Sequence, residues 1–73
     1  MSEQNETVTL SLQQSAKLGV VHVAVTEDGS VVVAGEMRRL DDGETHWFER
    51  SGIEVHRQGD QWTFTKRLGA RAA

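Results

Sequence analysis

The sequence contains no cysteine, no proline and no tyrosine, and its only Trp and Phe residues are Trp47, Trp62, Phe48 and Phe64. The lack of cysteine excludes disulfides and thiolate metal sites, two of the usual reinforcements of a small domain. The 73 residues form a single domain with a small core, so oligomerisation or a larger partner is the remaining support. The lack of proline removes one common means of blunting an exposed sheet edge. No apolar run approaches the length of a membrane-spanning helix. Met1 to Glu6 has neither the basic region nor the following apolar stretch of a secretory leader, and the expected location is the cytoplasm.

An excess of positive charge is also absent. Eleven acidic and eight basic residues give a formal net charge of -3, without the positive footprint of a general nucleic-acid binder. The three histidines have no partners at metal-ligand spacing, and no phosphate loop, nucleophile elbow or calcium loop occurs. No metal and no cofactor is expected.

What the chain does have is a rhythm of turns. Asp28-Gly29, Asp42-Gly43, Ser51-Gly52 and Gly59-Asp60 separate short segments rich in Val, Trp, Phe, Thr and Ile. Such spacing predicts an all-β fold, a small antiparallel meander sheet or partly open barrel of five to six short strands. The strands are expected near residues 7–12, 20–27, 30–38, 44–50, 53–58 and 61–67. Residues 13–18 read as a short helix ending at Gly19 or as a loop. Residues 1–6 and 69–73 read as flexible ends of the single domain 1–73.

Two-residue loops at the Gly-containing breaks would set Val25 against Val32, Arg38 against Trp47, Phe48 against Val55 and Val55 against Phe64. Those registers gather Val20, Ala24, Val31, Val33, Met37, Phe48, Ile53, Val55, Trp62 and Phe64 on one face, the expected core. The other face then carries an apolar end of Val21, Val23, Val25, Val32 and Ala34. Five apolar side chains do not belong on a solvated face, so a homodimer interface is expected there. Pairing of an open edge strand across a two-fold axis is the other route to a dimer.

The polar end of that outer face holds Arg38, Trp47, Glu49, Glu54 and His56, beside the acidic loop Asp41-Asp42-Gly43-Glu44. An exposed aromatic ringed by charges is the usual make-up of a protein-binding hot spot. Glu49 opposite Glu54 could raise a carboxyl pKa, but glycosidase chemistry needs a cleft that an open sheet does not offer. The expected function is therefore a non-catalytic protein–protein interaction module: an inhibitor, an adaptor or phage-type accessory protein, or a small subunit of a larger assembly. The alternative is a single-stranded nucleic-acid binder that uses Trp47, Trp62 and Phe64 with the cations of the second half and the basic tail.

Overall fold

The computed structural model describes residues 5–67, and every regular element in it is a strand. The eight strands are β1 (Asn5–Leu10), β2 (Ser15–Leu18), β3 (Val21–Val25), β4 (Ser30–Val33), β5 (Glu36–Arg39), β6 (Thr45–Phe48), β7 (Ile53–Gln58) and β8 (Gln61–Arg67). They form two four-stranded antiparallel sheets, ordered β1-β8-β7-β6 and β2-β3-β4-β5. The all-β meander is thus present, with eight strands where five or six were expected. Of the flexible ends expected at 1–6 and 69–73, residues 1–4 and 69–73 lie outside the described residues. Asn5 and Glu6, assigned to the first of those ends, pair with Arg67 and Lys66 in β1.

The extra strands come from two tight turns. Gly19 (φ 65°) and Val20 form a two-residue loop that pairs Leu18 with Val21. Glycine in the first loop position is the signature of a type II′ turn. It makes 15–18 a strand in place of the expected helix or loop. Ala34 (φ 50°) and Gly35 (φ 86°) form another, pairing Val33 with Glu36. Both φ values are positive, as a type I′ turn requires. The expected strand 30–38 is therefore cut into β4 and β5. In consequence β5 does not pair with β6, and the expected facing of Arg38 and Trp47 is replaced by a crossing between sheets.

One loop decides which way β3 faces. Thr26 N–H bonds to Ser30 O at 2.8 Å, and Gly29 N–H to Thr26 O at 3.1 Å. The loop is therefore Glu27-Asp28-Gly29, three residues closing in a glycine bulge, not two. The extra residue sets Val25 against Val31 and Val23 against Val33. A one-residue slip turns every side chain of a strand over. Val23 and Val25 are consequently in the core at 1% and 2% exposure, while Val20 (87%) and Met37 (67%) lie outside it. Ala24, also assigned to the core, lies opposite Val32 on the outer face and is half-buried.

At Ser51-Gly52 the loop holds four residues, so Phe48 meets Ile53 and not Val55. That slip is even and leaves the faces unchanged. The register at Gly59-Asp60 is as expected, with Val55 opposite Phe64 and Arg57 opposite Trp62.

The two sheets share one core. Val23, Val25, Val31 and Val33 come from one sheet, and Leu10, Phe48, Ile53, Val55, Trp62 and Phe64 from the other, with Leu18 and Leu40 beside them. Val8, Ala16 and Val21 pack against this cluster. Leu12 follows the end of β1 and is 44% exposed. Within each sheet chain neighbours lie side by side, β2 to β5 in one and β6 to β8 in the other, with β1 outside β8. β1 sits beside β2 at one side of the pair of sheets. Glu36 pairs with Arg50 (3.4 Å) and Arg38 with Glu44 (4.0 Å), so two ion pairs link β5 to the residues flanking β6.

Candidate functional site

The sheet β1-β8-β7-β6 turns Val8, Leu10, Phe48, Ile53, Val55, Trp62 and Phe64 inward, so the alternate residues form its outer face. Two rows cross it. One runs Thr9, Thr63, His56, Thr45, and the other Thr7, Thr65, Glu54, Trp47. Thr9 and Thr63 hydroxyls are 3.2 Å apart, and Thr7 and Thr65 hydroxyls 3.5 Å. His56 Nδ1 lies 2.8 Å from the Thr45 hydroxyl, which fixes the ring across β6. Residues on the two inner strands are half-buried, whereas Thr7, Thr9, Thr45 and Trp47 at the margins are exposed. Trp47 retains 46% exposure on a row otherwise made of two threonines and a glutamate.

Of the seven residues expected at a protein-binding site, the fold unites Trp47, Glu54 and His56 on this face. Trp47 is opposite Glu54, and His56 is opposite Thr45, so neither the expected facing of Trp47 with Arg38 nor that of Glu49 with Glu54 occurs. Glu49 stands exposed in the loop after β6. Arg38 is on β5 in the other sheet, paired with Glu44.

Asp41 and Asp42 belong to a loop whose polar groups are engaged in the fold. Glu44 Oε1 accepts from Asp41 N–H (2.8 Å), and Asp42 Oδ1 accepts from Gly59 N–H (2.7 Å). Gly43 N–H donates to Arg57 O, and Arg57 N–H to Glu44 O. This loop splices the strand order of β6 onto β7 and so positions Thr45 and Trp47.

The four valines expected at a dimer interface do not form one surface. Val23 and Val25 are buried in the chain's own core, and Val21 packs against it. Val32 alone lies on the outer face of its sheet, half-buried beside Met37. Two of the three aromatics invoked for a nucleic-acid platform, Trp62 and Phe64, are buried as well. Arg57 stacks on Trp62 at 5.1 Å and donates to Leu40 O and Gly59 O, a structural use with no signal in the sequence. The contribution of β1 to the site had a signal: Thr7-Val8-Thr9 and Thr63-Phe64-Thr65 are matching triplets, and they lie side by side.

Among the described residues, no group of three or more His, Asp and Glu is placed to hold a metal ion, and no helix is long and apolar enough to cross a membrane. The chain matches no family model, no curated protein and no solved structure.

Proposed function

We propose that this chain is a non-catalytic binding module that holds a protein partner on the outer face of β1-β8-β7-β6. The observation that carries this reading is Trp47, a large aromatic left 46% exposed on a sheet face where every neighbour across the strands is polar. Aromatic anchors of this kind supply most of the affinity at protein interfaces, and polar neighbours supply register. Thr7, Thr9, Thr45 and Thr65 offer hydroxyls and methyls together, which suits a flat mixed surface. Glu54 and His56 give it a charged group and a titratable one. Partnership with a larger protein, as inhibitor, adaptor or small subunit, also suits a chain whose own core is small. The cytoplasm, where cysteine gives no advantage in stability, is its proposed place of work.

The single-stranded nucleic-acid reading has less support. Trp62 and Phe64 are inside, Arg57 lies on Trp62, and Arg38, Arg39 and Arg50 each face a carboxylate. An affinity pull-down from the native cell, with and without nuclease, separates the two. A discrete protein that survives nuclease is expected, and Trp47→Ala should weaken its binding by about 2 kcal/mol or more. Recovery of nucleic acid with salt-sensitive affinity would reverse the choice.

A further inference from the structure

We infer that β5 is a self-association edge, along which two copies of this chain join their β2-β3-β4-β5 sheets into one continuous eight-stranded sheet about a two-fold axis at Met37. β5 ends its sheet and has one ladder partner, β4. Met37, Arg38 and Arg39 are all exposed. The tight turn at Ala34-Gly35 sets the phase of its hydrogen bonds. Val33 and Glu36 close that two-residue loop, and a closing pair exchanges both bonds. By alternation, Met37 and Arg39 turn their N–H and C=O groups away from β4, toward the open edge.

A second copy fits that edge in one register. With Met37 opposite its own copy, the two residues exchange both backbone bonds, and Arg39 stands opposite Gly35 in the turn that precedes β5 of the second copy. Glu36 then stands opposite Arg38 of the second copy, twice by symmetry, on the side facing the other sheet. On the outer face the two Met37 side chains, each 67% exposed in the single chain, meet and extend the apolar row Ala24–Val32–Met37 into its counterpart. A shift of two residues would bring Arg38 against Arg38 in one direction and Glu36 against Glu36 in the other, like-charge pairs that destabilise a ladder. A shift of one would put Met37 on the wrong face. Edge, phase, charge and apolar contact therefore select a single isologous arrangement. The edge also carries none of the proline that natural sheets use to prevent such pairing.

The test is sedimentation of the full chain across the micromolar range. A concentration-dependent species of twice the chain mass is expected. Met37→Pro removes the outward N–H at a position where an edge strand tolerates proline, so it should keep the β-sheet circular dichroism and weaken the dimer at least about tenfold. Glu36→Arg and Arg38→Glu should each weaken it by about tenfold through two like-charge contacts, and the double variant should recover most of the loss. The charge-swap series decides the matter even where the proline variant misfolds. A chain that stays monomeric, a folded Met37→Pro that dimerises as wild type, or a double variant no stronger than the singles would each overturn the inference. Dimerisation lost instead on replacing Val20 or Leu12 would move the interface elsewhere and overturn it equally.

Discussion

Two residues illustrate how single side chains hold this small fold. Arg57 is half-buried and reaches two carbonyls at once: Nε donates to Gly59 O and Nη1 to Leu40 O, both at 2.9 Å, with the guanidinium plane over Trp62. It thereby ties the ends of β7 and β8 to the residue that leads out of β5. The Leu40 residue is fully buried, so its carbonyl has little access to water as a substitute. Arg57→Ala should lower the unfolding free energy by about 1.5–3 kcal/mol in urea titrations, and Arg57→Lys should recover little, because an ammonium cannot span both acceptors. Asp28 works by charge. Its carboxylate accepts hydrogen bonds from Thr26 and from Ser30, and Arg39 lies 3.7 Å away. The bond from Thr26, followed by those from Ser30, holds its pKa below the ordinary aspartate value. A pKa lowered by folding means the folded chain favours the ionised form. The stabilisation is therefore present above the unfolded pKa, about 4, and is lost as pH falls through the folded value. Urea midpoints should decline with acid below about pH 4, and Asp28→Asn should flatten part of that decline. Parallel pH profiles for the two chains would remove Asp28 from the account.

At the scale of elements, loop lengths govern what the sequence could reveal. The alternation of Thr7 to Leu10 and of Ile53 to Phe64 was readable, and so was the Gly59-Asp60 turn. The face containing Trp47, Glu54 and His56 also survived, because the misjudged loop before Ile53 was off by two residues and an even slip preserves faces. β3 was turned over because Asp28-Gly29 fits a two-residue loop on composition, whereas the Thr26–Ser30 pairing builds a three-residue one. Composition alone does not separate those cases. The Ala34-Gly35 turn was hidden for another reason: a non-glycine residue with positive φ is uncommon, and alanine gives no hint of it. Ala34 at φ 50° carries a left-handed backbone penalty of about 1–2 kcal/mol. Ala34→Asn would supply the residue that type I′ turns favour at that position. It should raise the thermal midpoint and add about 0.5–1 kcal/mol of stability, since asparagine tolerates this region better than alanine. No gain would show that the Glu36 side of the turn, not Ala34, sets its conformation.

At the scale of the whole molecule, the strands divide into two ladders, β1-β8-β7-β6 and β2-β3-β4-β5, with no ladder between β1 and β2 or between β5 and β6. The two sheets depend on each other because neither covers its own apolar face, and β1, paired with β8 in one sheet, also lies beside β2 of the other. Trp62 and Phe64 on β8 pair with Leu10 and Val8 on β1 and with Arg57 and Val55 on β7. Loss of β1 would therefore open the core of both sheets, and unfolding should be one cooperative event. Local opening is a different matter. β7 and β8, β3 and β4 have partners on both sides and supply the most buried side chains, while β5 has one partner and an exposed surface. Native-state amide exchange should rank accordingly, slowest in β7 and β8 and fastest among the β5 amides that point away from β4. Those amides belong to Met37 and Arg39, the two that an adjoining copy would occupy. Their exchange should slow as protein concentration rises, while Arg38, already bonded to β4, changes less. Protection that rises equally at all three, or at none, would mean that any association leaves the β5 ladder untouched.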